Sequence, residues 1–205
     1  SGSGAFTRLQ LLGVGFDGRR PTNRATVISD DGKVAAGFAQ NGPVDRSPAI
    51  WNADGTGFLL DPQNMDVPGE VLSISADGKT VAGLFSYDGF VWTAATGIVM
   101  LPRLEISLPT DAIFPNAMSA DGTLVFGGLG DPFFSVPSAF VWSAAHGTRA
   151  VADIVRANGI ALPEGILLNS ILGASADGTV LVGTAMDAEF NLKTFALRLP
   201  ATALR

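Results

Sequence analysis

The phrase Ser-X-Asp-Gly occurs four times in this 205-residue chain, at Ser29–Gly32, Ser75–Gly78, Ser119–Gly122 and Ser175–Gly178. After a short apolar run each copy meets a second glycine: Gly37, Gly83, Gly127 and Gly183. Self-similarity at this period restricts the chain to an array of like units, because one small unit cannot bury its apolar face alone. A third segment of each copy carries an aromatic signature: Ala49-Ile50-Trp51, Phe90-Val91-Trp92, Phe140-Val141-Trp142 and the degenerate Phe195-Ala196-Leu197. Gly-bearing turns follow at Asn52–Gly55, Thr93–Gly97 and Ser143–Gly147, and Gly57–Leu60 and Ile98–Leu101 close the first two copies.

The serine anchors lie 46, 44 and 56 residues apart and the Trp anchors 41 and 50 apart, which puts length variation in loops. Four short strands in about 40–50 residues is the size of one propeller blade. Blades are expected over about 23–61, 70–104, 113–155 and 169–200, with Phe6–Leu12 as an orphan fourth strand. The expected architecture is therefore all-β: a four-bladed β-propeller closed by that N-terminal strand completing the last blade, which removes an exposed edge. The alternative is half of an eight-bladed ring made by a dimer. Ser1–Gly4 reads as a linker, with any native export signal removed, and residues 5–205 as a single propeller domain. Helical spacing is confined to Val151–Asn158, with Gly159 as its C-cap.

Within the phrase, Gly supplies the positive φ a tight hairpin needs, and Ser and Asp can bond the backbone two or three residues on. The four aspartates read first as turn residues; a catalytic or calcium role is the sharper alternative, although calcium loops stack several carboxylates at alternating positions and these do not.

Composition narrows the partners. Net charge is −6 and charged residues are only 16%. An acidic balance argues against nucleic acid, and no apolar run reaches the length of a membrane span. Cysteine is absent, which fits an oxidising compartment or a reducing one. Catalytic constellations are thin. His146 is the sole histidine and reads as an exposed turn residue, since a Ser-His-Asp triad needs it outside that turn. Gly13-X-Gly15 lacks the strand–helix context of a phosphate loop. No catalytic residue and no metal ligand is assigned. A paired-carboxylate hydrolase or lyase acting on polysaccharide stays open. Trp51, Trp92 and Trp142 read as packing between blades, with carbohydrate stacking as the alternative.

In a propeller the loops joining strand two to three, and strand four to the next blade, share one face, and variable loops on a rigid scaffold carry function. The candidate ligand-binding residues there are Arg19, Arg20, Arg46, Tyr87, Asp88, Phe133, Phe134 and Glu189. The bland reading is a solvated rim. No cofactor is expected, although small first-strand positions (Val27, Ser73, Ala117, Gly173) leave room for an ion or waters in a central channel.

Residues Ser75–Gly83, Phe90–Trp92, Thr93–Gly97 and Ser138–Trp142 resemble a bacterial extracellular repeat family named for a His-Ala-Phe (HAF) signature. Phe6–Gly13 is similar to that family's opening strand, and Val151–Gly178 with Leu199-Pro200 to its closing module. A weaker kinship is with the Ser-Pro-Asp-Gly-Lys hairpins of TolB-like propellers, whose proline is missing from all four copies here. The resemblance implies a β-propeller-like protein exported from a bacterium and secreted, periplasmic or surface-displayed, with no catalytic residues to transfer. The expected function is a non-enzymatic binding or scaffolding module with a glycan or protein ligand at the loop face, monomeric or weakly homo-oligomeric, without membrane insertion. A structural spacer within a larger assembly is the remaining alternative.

Overall fold

A computed structural model describes residue 4 and residues 6–105, 107–130 and 138–204. The fold is all-β. Three antiparallel sheets, each of four strands joined in sequence order, are followed by one of three. Sheet 1 holds β1 (Asn23–Ile28), β2 (Val34–Asn41), β3 (Val44–Asn52) and β4 (Gly57–Leu59); sheet 2 holds β5 (Gly69–Ile74), β6 (Thr80–Phe85), β7 (Asp88–Thr93) and β8 (Gly97–Met100). Sheet 3 holds β9 (Ala112–Met118), β10 (Val125–Gly130), β11 (Ser138–Ser143) and β12 (Gly147–Ala150). Sheet 4 holds β13 (Leu167–Ala174), β14 (Val180–Met186) and β15 (Leu192–Arg198), and a bridge between Gly128 and Ser170 joins it to sheet 3. Helix α1 (Val151–Ala157) sits between the last two sheets, and Gly159 follows it at φ 67°.

The Ser-X-Asp-Gly phrase builds the same hairpin each time. Gly32, Gly78, Gly122 and Gly178 take φ of 70, 71, 71 and 73°, and each glycine N–H donates to its own serine carbonyl. The serine hydroxyl donates to the aspartate, as in Ser75 Oγ to Asp77 Oδ1 at 2.8 Å, and accepts the Thr80 N–H at 3.0 Å. The aspartate in turn accepts the Lys79 N–H at 3.0 Å. These carboxyls are spent on the turn.

Alternation assigns each sheet two faces. The trailing face of sheet 1 (Ala36, Ile50) packs on the leading face of sheet 2 (Val71, Val81, Phe85, Phe90). The trailing face of sheet 2 (Ala82, Val91) packs on Val125, Phe140 and Trp142 of sheet 3, and Phe126 and Val141 pack on Ile171 and Leu181 of sheet 4. The expectation that the tryptophans lie between blades holds for two of the three: Trp92 meets Phe58 of the preceding sheet, ring centroids 5.8 Å apart, and Trp142 packs with Ala82 and Val91 of sheet 2.

The second glycine has a steric origin. A Cβ on Gly37, Gly83, Gly127 or Gly183 would collide with the first-strand carbonyl of Arg24, Glu70, Phe114 or Ser170 respectively. Register shifts between Ala25 and Val27, and between Val71 and Ser73, push that strand against the glycine. Phe90 and Phe140 then lie over Gly83 and Gly127.

A relay of backbone bonds ties the sheets in series. Asp30 N–H donates to Ala76 C=O at 3.0 Å, Ala76 N–H to Ala120 C=O at 2.9 Å, and Ala120 N–H to Ala176 C=O at 2.8 Å. First strands add polar links: Thr26 Oγ1 donates to Val71 C=O, Ser73 Oγ to Pro115 C=O, and Asn116 Nδ2 to Ile171 C=O. Ser73, expected in a central channel, thus spends its hydroxyl on the next sheet, and Ala117 lies in the apolar layer between sheets 3 and 4.

Phe6–Leu12 was expected to complete the last blade; it lies against the leading face of sheet 1, the place a preceding blade's fourth strand takes, without pairing to sheet 4 among the described residues. Gln10 N–H donates to Gly55 C=O at 2.8 Å, the Trp51 indole N–H donates to Gln10 C=O at 2.9 Å, and Leu9 and Leu12 pack on Ala39, Ala49 and Trp51. The physical reason is the leading face of sheet 1, where Trp51 needs cover and an acceptor for its N–H. Residues 6–12 supply both; for Trp92, Phe58 of β4 supplies the cover. Among the described residues no strand pairing joins sheet 4 to sheet 1 or to this segment. After Leu199 the chain forms a short 3-10 turn, Ala201–Leu204, whose Leu204 fills the layer between sheets 3 and 4 rather than adding a fourth strand.

Candidate functional site

The second-to-third-strand connections share one end of the stacked sheets, and the first strands start there. This is the loop end. The hairpin phrases and the third-to-fourth-strand turns form the opposite end.

At the loop end, Phe38 of β2 carries two cations. The guanidinium carbons of Arg24 and Arg46 stand 4.8 and 5.0 Å from its ring centroid. Both arginines bond the same Glu70 oxygen from sheet 2, at 3.4 and 3.0 Å. Glu70 is largely shielded (side chain 13% exposed), whereas Arg24 and Arg46 remain 54% and 48% exposed. The junction of sheets 1 and 2 therefore shows a half-exposed pair of guanidinium groups over one aromatic ring, with one carboxylate for two positive charges. Guanidinium groups suit bidentate bonds to carboxylate or sulfate.

The other expected residues separate into ties and rim. Asp88 bonds Arg103 at 2.6 Å, and Arg103 also donates to the Asp111, Leu108 and Tyr87 carbonyls, which pins the loop from sheet 2 to sheet 3. The Tyr87 ring itself is 55% exposed. Arg19 and Arg20 are exposed before β1, and Arg19 N–H closes a turn on Phe16 C=O. Glu189 is exposed, and its N–H donates to Asp187. Asp187 holds its loop: the Asn191 N–H first, then Lys193 and the Asn191 side chain, keep its carboxyl at about 2. Phe133 and Phe134 lie outside the described residues. The structure thus brings Arg46 together with Arg24, Phe38 and Glu70; of these the sequence reading named only Arg46. The missed signal was Arg24 facing Phe38 across the first hairpin, a pairing visible only once register is known.

At the opposite end, His146 is exposed in its turn and lies 3.4 Å from Ser143 Oγ, a local contact within one hairpin. The nearby Asp121 carboxylate bonds Ser119 and Thr123, so no triad is assembled. The same end holds an apolar groove of about 710 Å³ between sheets 2 and 3, walled by Val91, Val99, Met100, Pro102 and Trp142. Val99 holds the register position of Phe58, since Val91 pairs with Val99 as Ile50 pairs with Phe58. Phe58 fills the equivalent space over Trp92; the smaller Val99 leaves it open over Trp142. No group of three or more His, Cys, Asp or Glu side chains is placed to hold a metal among the described residues.

No family model matches the chain, and no curated protein matches it. Solved structures do. A protein assigned as TolB from Agrobacterium tumefaciens superposes at TM-score 0.50 with 15% identity, covering 86% of this chain and 68% of that one. A structure from a study of two prolyl endopeptidases superposes at TM-score 0.53 with 13% identity, covering 87% of this chain but only 27% of that one. At such identity the likeness shows the fold alone: an all-β, propeller-type stacking of sheets.

Proposed function

We propose that this chain is a non-enzymatic binding or scaffolding module of a bacterial envelope or cell surface, contacting a glycan or protein ligand at its loop end. The observation that carries the reading is the Arg24–Arg46 pair on Phe38, half-exposed and only half-neutralised by Glu70. Its chemistry favours a ligand bearing carboxylate or sulfate groups. The carboxylates that hydrolysis would recruit serve other roles: Glu70 holds two arginines, Asp88 holds Arg103, and Asp187 holds a loop as an ionised acceptor. A general acid needs the opposite environment, one that raises its pKa. The TolB-type likeness and the repeat resemblance support the envelope setting, and the series of tied sheets supports a scaffold role.

Arrays of acidic and neutral glycans and of peptides, probed with the purified chain, test this. Binding confined to acidic members, lost in Arg46→Ala with the thermal unfolding midpoint retained, is the expected result. Turnover of a polysaccharide without array binding would refute it.

A further inference from the structure

The two ends of the array are open at the positions that every interior junction covers. On the trailing side, the cross-strand pairs Ala36–Ile50, Ala82–Val91 and Phe126–Val141 are each covered by the following sheet. The equivalent pair of sheet 4 is Val182–Ala196, and Val182 is 48% exposed, with Leu172 beside it on β13 also exposed. On the leading side, Ile74 and Ala174 pack into the layers before sheets 2 and 4, and Met118 into the one before sheet 3. Their counterpart in sheet 1 is Ile28, paired with Ala35 as Ile74 is with Val81, and it is 61% exposed.

Polar and steric matching repeats the pattern. The relay from Asp30 to Ala176 leaves the Ala176 N–H without an acceptor of this kind, and the Asp30 carbonyl without a donor, among the described residues. Gly78, Gly122 and Gly178 nest against the preceding hairpin, on Ser29 and Val34, on Ser75 and Thr80, and on Leu124 and Phe126; around Gly32 there is open space. Among the described residues sheet 4 has no fourth strand, and Phe6–Leu12 already lies over Trp51 where a preceding unit's fourth strand belongs.

We infer that the trailing face of sheet 4 docks on the leading face of sheet 1 of a second copy of this chain, Ala176 N–H meeting Asp30 C=O across the seam. The inference rests on the propeller reading and not on the ligand. The occupant follows from the junctions themselves: each interior trailing face is covered by a leading face of this repeat, and the free leading face of the same chain does not reach it. The contact is heterologous, so two copies close it by forming both seams, a single ring of eight sheets. Residues 6–12 of one copy then lie beside the free edge of β15 of the other, which removes that edge.

Light scattering on the full chain across a concentration series, with Val182→Glu and Ile28→Glu, reads the seam directly. Both positions are exposed, so the variants should keep the wild-type circular dichroism and unfold cooperatively, at a midpoint that, unlike the wild-type one, does not rise with protein concentration. The wild-type chain should reach twice its 21.1 kDa mass, and each variant alone should stay at single mass. A mixture of the two variants should recover double mass, because one seam then joins an intact leading face to an intact trailing face. A wild-type chain at single mass throughout, whether open or closed on itself, would overturn the inference. So would a dimer that either substitution leaves intact, or a mixture that fails to recover. Loss of array binding with dimerisation intact would count against the ligand reading alone.

Discussion

At the residue scale, the hairpin serine does two jobs that no apolar residue can share. Ser75 is fully buried, donates to Asp77 and accepts the Thr80 N–H. Ser75→Ala leaves that N–H unpaired, and the expected loss is about 1–3 kcal/mol in denaturant unfolding. Gly83→Ala drives a methyl into the Glu70 carbonyl and the Phe90 ring. It should cost about 3 kcal/mol, the upper end for overpacking, or prevent folding. The turn aspartates set the acid limit. The N–H of Lys33, then its ammonium and Ser29, hold Asp31 at about 2; Lys79 does the same for Asp77, and Ser175 and Thr179 for Asp177. Their folded values lie below the unfolded value near 3.9, so between the two the unfolded chain binds more protons. The stabilisation is complete above about pH 4–5 and disappears as pH falls toward 2. Denaturation midpoints measured from pH 6 to 2 should decline in that window, and Asp→Asn at three turns should flatten the decline. The residue types of this network were legible from the repeated phrase. Why the second glycine is obligatory was not, because that depends on a bulge that only the register reveals.

At the scale of elements, the strands, the order of sheets and the helix over Val151–Ala157 were readable from alternation, turn residues and one stretch of 3.6 periodicity. The placement of Phe6–Leu12 was not. Its sequence marks it as a fourth strand but does not say which sheet it packs on. Pattern alone assigns a strand its type but not its partner. Trp51 decides it, through complete burial and an N–H bonded to Gln10. Trp51→Ala should cost about 3–5 kcal/mol and free the segment. Limited proteolysis should then cut after Arg8 at a protease concentration that leaves the wild-type chain intact. The stacked arginines were half-legible for the same reason: Arg46 stood out in a variable loop, while Arg24 and Phe38 belong to regular strands and read as ordinary alternation.

At the scale of the molecule, the sheets stack in chain order, each of the first three capped by the next through an apolar face and a backbone bond at the hairpin tip. The repeat announced the stacking but was silent on how far it turns, which is why closure within one chain could be expected from sequence and yet be absent among the described residues. The inner relay is the direct signature of this arrangement. Residue-resolved amide exchange on the folded chain reads it at four equivalent positions, Asp30, Ala76, Ala120 and Ala176, all in hairpin turns where exchange is ordinarily fast. Strong protection of Asp30, Ala76 and Ala120, with Ala176 gaining protection only as protein concentration rises, is the predicted result. Fast exchange at all four would contradict the stacking itself.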